Sequence, residues 1–262
     1  MDKDKGLPTL VWSIDPEETK DPPSKSSLES LKNYRVFPVS IQQTDTASDY
    51  QVLETYLIAC RIENIESPVI FTKGRTDGFD IDQILNFATS KHAELIALTS
   101  HGKTGLKKII LGTFAEKLLA KSYFPILFLS KDEIDQSSHR AIFATDFSEE
   151  SSNALQSFLK FAKHSVNEVT IFHTEPLPAN FYKSFDIPGD LGVYLHKVIH
   201  GSCGSIARDI RDVCAKEKIG LIGITSKKSK LNNTLFGSVA QDLFRHQEEL
   251  VWVSNSRLNE IR

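Results

Sequence analysis

The chain has 262 residues, 40% of them hydrophobic and 25% charged, and a formal net charge of -3. That length suits one large domain or two of about 130 residues, and the apolar content excludes a disordered chain. The slight acidity argues against a broad polyanion-binding surface, so DNA is not an expected partner.

From the N-terminus, MDKDKGLPTLVWSIDPEE holds no apolar core bounded by a cleavage site, so it does not read as a secretory signal. Residues 9–15 form a short apolar run that ends in Asp15 and reads as a first strand. Pro16, Pro22 and Pro23 then cut the first helix down to about residues 26–33. A second strand follows at 35–41 and contains Val39. Asp49 to Asn64 places Val52, Leu53, Tyr56, Leu57 and Cys60 on one helical face. After a strand at 67–72, Asp80 to Lys91 repeats the pattern with Ile81, Ile84, Leu85 and Ala88. A strand at 94–99 leads through a glycine-containing loop to a helix over Thr113 to Lys121, with Phe114, Leu118 and Leu119, and then to a strand at 125–130. Mostly apolar strands alternating with amphipathic helices imply a parallel sheet covered on both faces.

The polar stretch Ser130 to His139 separates this block from a second one. There, strands are expected at about 140–146, 168–174, 193–199, 219–225 and 249–254. Ser148 caps a first helix whose buried stripe is Ala154, Leu155, Phe158, Leu159 and Ala162. Three prolines and two glycines within 176–192 replace the second helix of this block with a loop.

The two blocks repeat each other. Leu10-Val-Trp-Ser-Ile-Asp15 matches Ala141-Ile-Phe-Ala-Thr-Asp146, and Gly112-Thr113-Phe-Ala matches Gly237-Ser238-Val-Ala. Asp146 lies 131 residues after Asp15 and Ser238 lies 125 after Thr113, about one domain length apart. The expected organisation is a domain over 1–132, a linker over 133–138 and a domain over 139–262. The linker is too brief for free motion, so the copies are expected to pack on each other. Cys60, Cys203 and Cys214 have neither the number nor the spacing of a disulfide framework or zinc site. With no apolar run long enough to cross a bilayer, the expectation is a soluble cytoplasmic protein without a membrane partner.

Ligands of open parallel sheets bind beyond the carboxyl ends of the strands, where strand order reverses. Asp15 and Asp146 stand at such ends. The richest stretch runs from Thr99, Ser100, His101, Gly102 and Lys103 to Gly112, Thr113 and Phe114. Gly102 admits close backbone approach, and the helix starting after Gly112 offers free N–H groups and a positive dipole end to phosphate. The Thr113 hydroxyl can meet a phosphate oxygen or simply cap the helix. Gly102-Lys103-Thr104 is not the tail of a P-loop, because the first glycine of that motif would fall on Ala97. Weaker features are His200-Gly201-Ser-Cys-Gly204-Ser205, which reads as a strand-to-helix turn, and Lys227, Lys228 and Lys230, which read as a solvated loop.

On these residues the chain resembles a tandem universal stress protein. The family motif is a first-strand aspartate followed by Gly-x2-Gly-x9-Gly-(Ser/Thr), and here it reads Asp15 and Thr99-x2-Gly102-x9-Gly112-Thr113. The resemblance implies two Rossmann-like α/β domains, each with a five-stranded parallel sheet, paired through their fifth strands as an intrachain pseudo-dimer. It also implies ATP or another adenine nucleotide, with or without magnesium, on Asp15, Val39, Thr99 to Lys103 and Gly112 to Phe114. Phosphates would lie on the glycine loop, and the aspartate near adenine and ribose. Thr99 departs from the motif, since a β-branched residue suits a positive-φ glycine position badly. In the second copy, counting back nine residues from Gly237 puts Lys227 and Ile224 at the glycine positions, so Asp146, Gly237 and Ser238 make a weaker second site.

The functions that follow are a non-enzymatic stress-response regulator binding nucleotide in its first copy, or a scaffold with both sites silent. A nucleotide-activating enzyme of related fold is disfavoured, because no general base or further catalytic motif stands in the sequence, slow ATP hydrolysis aside. Protein partners are expected without being identified, and homodimerisation is compatible with this reading.

Overall fold

The computed structural model describes residues 6–16, 19–20, 22–43, 46–74, 78–99, 113–133, 139–173, 191–197, 206–226, 239, 242–243 and 249–255. The described residues divide into two compact units, the first ending at Glu133 and the second starting at His139.

The first unit contains five strands, Thr9–Ile14 (β1), Arg35–Gln42 (β2), Val69–Thr72 (β3), Leu95–Thr99 (β4) and Ile126–Leu129 (β5). They lie in the order β3-β2-β1-β4-β5, and every pair is parallel. Every residue of β4 is buried, as expected for a central strand covered on both faces, and the four residues of β5, last in this unit's order, are buried as well. The helices are Lys25–Glu29 (α1), Ala47–Cys60 (α2), Phe79–Ser90 (α3) and Thr113–Lys121 (α4). Right-handed crossovers put α1 and α2 on one face of the sheet and α3 and α4 on the other. Tyr56 of α2 meets Trp12 of β1 with ring centroids 5.8 Å apart. On the opposite face, Lys121 of α4 pairs with Asp82 of α3 at 3.0 Å.

Local chemistry sets the helix ends. Helix α2 begins ahead of Asp49 because Thr46 caps it, and Asp49 reaches back to the Thr46 N–H at 3.2 Å in a reciprocal box. It stops at Arg61, whose φ of 53° is left-handed, so the helix ends short of Asn64. Helix α1 is a single turn, too short to stand by itself. It is tied instead to the residues after β5. The Ser27 hydroxyl donates to the Ser130 carbonyl at 2.8 Å and accepts from its N–H at 3.0 Å. The Glu133 carboxylate accepts from the N–H groups of Lys25 at 2.9 Å and Ser26 at 3.3 Å. The Lys25 bond, with smaller help from Ser26 and the Lys25 charge, holds the Glu133 carboxyl below its ordinary range.

The second unit contains Arg140–Thr145 (β6), Glu168–His173 (β7), Gly192–Lys197 (β8), Leu221–Ser226 (β9) and Leu250–Asn255 (β10). Their order is β10-β9-β6-β7-β8, again parallel throughout. Helix Glu149–Ala162 (α5) follows β6, and Ile206–Glu217 (α6) precedes β9. The stretch in which the sequence expects a lost helix falls largely in 174–190, outside the described residues.

The internal repeat extends to the register. Leu10 pairs with Leu95 and Trp12 with Ala97 in the first unit. Ala141 pairs with Leu221 and Phe143 with Gly223 in the second. Two tandem five-stranded parallel α/β units are the fold class expected from the sequence, and the strand order is what the structure adds.

Candidate functional site

The strand order of the first unit reverses between β1 and β4, and three segments approach one another at their carboxyl ends. Asp15 directly follows β1 and is half-buried. Val39 lies inside β2, fully buried, with Ser13 opposite on one side and Val69 on the other. One residue on, the buried Ser40 hydroxyl donates to the Ile14 carbonyl at 3.0 Å and braces the turn into Asp15.

Thr99 is the last residue of β4, paired with Leu129. Its backbone is strand backbone. The left-handed residues described in the first unit are Arg61, His92 and Gly78. The steric objection to a β-branched side chain therefore does not arise at Thr99, and threonine suits an extended position. Its hydroxyl is occupied, because Oγ1 accepts a hydrogen bond from the Trp12 indole Nε1 at 3.4 Å across 87 residues of chain. Nothing in the sequence announces that contact, since it depends on β1 lying next to β4.

Thr113 is the first residue of α4, and the half-buried Phe114 is the second. The first N–H groups and positive dipole end of α4 thus follow directly on Gly112. Glu116 already places one negative charge in that first turn. Ser100, His101, Gly102, Lys103 and Gly112 lie outside the described residues, as do Gly237, Ser238, the 200–205 turn, Cys203 and the lysines at 227, 228 and 230. Among the described residues, no group of three or more His, Cys, Asp or Glu is gathered as metal ligands would be. Cys60 and Cys214 are core thiols. Burial pushes Cys60 up to about 12, against a smaller lowering by Tyr56. It also raises Cys214, with Glu249 and Glu217 adding to the effect, so neither is a nucleophile at neutral pH.

The equivalent corner of the second unit is built differently. Asp146 is exposed, and its carboxylate accepts from the Ser148 N–H at 3.1 Å and hydroxyl at 2.8 Å. Ser148 in turn caps α5. Asp146 therefore serves the start of a helix that begins at Glu149, whereas after Asp15 the next helix begins only at Lys25. Phe147 takes a left-handed φ of 56° and packs its ring, tilted, against buried His173 with centroids 5.1 Å apart. The sheet register also corrects the count made back from Gly237. With Leu221 standing where Leu95 stands, the counterpart of Thr99 is Thr225, not Ile224. The route from β9 to Gly237 is one residue shorter than that from β4 to Gly112, and counting from the far end misplaces the strand by that residue.

Residues 32–130 match the Universal stress protein family. Universal stress protein MJ0531 of Methanocaldococcus jannaschii is 38% identical over 55 residues, which are 21% of this chain and 32% of that protein. Universal stress protein MJ0577 of the same organism is 35% identical over 54 residues, 21% of this chain and 33% of that protein. The chain thus spans about a third of the length of these curated relatives. Among solved structures, a universal stress protein from Archaeoglobus fulgidus aligns with a TM-score of 0.62 at 16% identity, covering 94% of this chain and 98% of that one. One from Pseudomonas aeruginosa aligns with a TM-score of 0.60 at 14% identity, covering 95% and 93%. At such identities these structures speak for the fold. No helix among the described residues is long and apolar enough to cross a membrane.

Proposed function

We propose, on the premise that this chain is a universal stress protein-like protein, that it is a stress-response regulator whose first unit binds ATP or a related adenine nucleotide. The observation that carries this reading is the start of α4 at Thr113, one residue after Gly112 and downstream of the central strand β4. A helix N-terminus in that place offers backbone N–H groups to phosphate. Asp15, at the end of the neighbouring strand β1, stands where the resemblance puts adenine and ribose. Thr99 as an ordinary strand residue supports the same view, since a β-branched side chain is at ease in extended backbone. Gly102, Lys103 and their neighbours would complete the grip, with any magnesium arriving on the phosphates.

The second unit is read as degenerate, because Asp146 is committed to the cap of α5. The role is read as binding rather than catalysis, since the sequence carries no motif that would position a general base. Cytoplasmic residence, signalling through protein partners, pairing of the fifth strands Pro125–Ser130 and Glu249–Ser254, and homodimerisation complete the proposal.

A second reading, a scaffold with both sites silent, is favoured by the Thr99 hydroxyl being held by Trp12 and by Glu116 in the first turn of α4. Acid extraction of the purified protein, followed by calorimetric titration with ATP, separates the two. Nucleotide in the extract and binding heat are expected, with Gly112→Pro abolishing binding and Gly237→Pro leaving affinity nearly unchanged. Neither nucleotide nor heat would leave the silent scaffold as the answer.

A further inference from the structure

Of three buried polar atoms of the second unit without a hydrogen-bond partner among the described residues, the Ser165 hydroxyl lies beyond the end of α5, and two, the Trp252 indole Nε1 and the Thr225 hydroxyl, lie on β10 and β9. These two are not scattered. Trp252 pairs with Gly223, and Thr225 lies two residues beyond Gly223 on the same face of the sheet, one register row nearer the carboxyl ends. Trp12 and Thr99 have the same offset through Ala97 in the first unit, and there the indole N–H meets the hydroxyl directly at 3.4 Å. The second unit thus contains the same donor and hydroxyl at the same offset without the bond between them.

The surroundings differ in the same direction. On this row the first unit presents Ile14, Thr99 and Leu129, while the second presents Thr145, Thr225 and Ser254. Thr145 is already bonded to Ser151 at 2.7 Å and Ser254 to the Asn255 carbonyl at 3.2 Å. The ladder between β6 and β9 stops at Phe143 opposite Gly223, level with Trp12 and Ala97, whereas that between β1 and β4 continues to Ser13 opposite Leu98. The central strands of the second unit therefore diverge a residue earlier, at the point of a parallel sheet where small ligands lodge. Trp252 is 0% exposed, and a buried indole N–H left unbonded costs the whole desolvation of that group.

We propose that the second unit builds a small polar site of its own here, in which one uncharged oxygen bridges the Trp252 indole N–H and the Thr225 hydroxyl. The oxygen accepts from the indole, while the hydroxyl can donate or accept, so a water, or a hydroxyl or carbonyl oxygen of a small neutral molecule, satisfies both. An ion does not fit, because the row from β6, β9 and β10 carries hydroxyls alone and burying an unpaired charge is far costlier. A trapped water bonded on several sides is a common solution in protein interiors. The site is independent of whether the first unit holds a nucleotide.

The test uses the full chain labelled with 15N-tryptophan, its two indole N–H signals being assigned with Trp12→Phe. In water-selective Overhauser spectra the Trp252 N–H should show a cross-peak to bound water. A cross-peak to a non-exchanging resonance that is lost after unfolding and refolding in plain buffer would identify a small organic molecule instead. Thr225→Val should remove the cross-peak and shift the Trp252 signal without moving that of Trp12, and Thr225→Ser should retain both. Cross-peaks from the Trp252 N–H to protons of this chain alone, or a Trp252 signal indifferent to Thr225→Val, would overturn the proposal.

Discussion

One row of side chains runs through both sheets at the same register, and the two units fill it in opposite ways. In the first it reads Trp12, Ala97, Leu127. In the second it reads Phe143, Gly223, Trp252. The indole has moved from the first strand of the unit to its fifth, and the central position has shrunk from alanine to glycine. The covering helix changes as well. Tyr56 of α2 sits over Trp12, whereas Phe158 of α5 touches both Phe143 at 5.1 Å and Trp252 at 5.3 Å. A Cβ on Gly223 would meet Phe143 at 2.5 Å and Phe158 at 2.7 Å, so that glycine is a packing requirement. The lesson is that a core conserves filled volume and not residue positions. Where α1 has shrunk to one turn, α2 takes over the covering, and in the second unit the full-length α5 does it.

This comparison can be broken most directly at the indoles. Trp12→Ala and Trp252→Ala should each destabilise their own unit by about 3–5 kcal/mol. Denaturant unfolding followed by the fluorescence of the remaining tryptophan checks whether the other unit is spared. A smaller effect is expected from Gly223→Ala. The added methyl should cost about 1–3 kcal/mol through overpacking, read from Trp252 emission in a Trp12→Phe background. A shift below a few tenths of a kcal/mol would show that the aromatic cluster yields more easily than its contacts imply.

The helix starts sharpen the contrast further. Thr46→Ala in α2 and Ser148→Ala in α5 should each cost about 1 kcal/mol. Ser148→Ala should also remove the hydroxyl bond to the Asp146 carboxylate while leaving the one from the backbone N–H, visible by NMR as a shift of the Asp146 carboxyl carbon that Asp15 does not share. The smallest effect belongs to Glu133. Its carboxyl is held below the ordinary range in the folded chain, so its contribution is present above that range and is lost as pH falls through the lowered value. Melting temperature against pH should therefore show a shallow acid-side loss in the wild type that Glu133→Gln flattens.

Much of the fold was legible because buried parallel strands are written as short apolar runs. The runs at 9–15, 94–99 and 125–130 contain β1, β4 and β5 with at most a residue to spare at either end. The capping box of α2 is also present in the sequence as Thr46 three residues ahead of Asp49, a spacing that puts the helix start at Ala47 and not at Asp49. Of the candidate site, the placement of Asp15 after β1, Thr99 at the end of β4 and Thr113 at the start of α4 could be read in advance, since each sits at a boundary between patterns. What Thr99 does there could not be read, because its backbone and its bond to Trp12 follow from strand pairing.

By itself, then, the sequence determined the alternation of elements, the tandem repeat and the identity of the residues at strand ends. These are local properties, carried by hydrophobic period, proline and capping chemistry. Tertiary structure alone decided which strand lies beside which, and with it the partner of Thr99 and the alignment of Thr225 with Thr99. It decided equally that Trp12 finds a hydroxyl while Trp252, at the same offset from one, does not. Those outcomes depend on register between segments tens of residues apart, where a shift of one residue exchanges the faces of a strand and no local pattern records the choice.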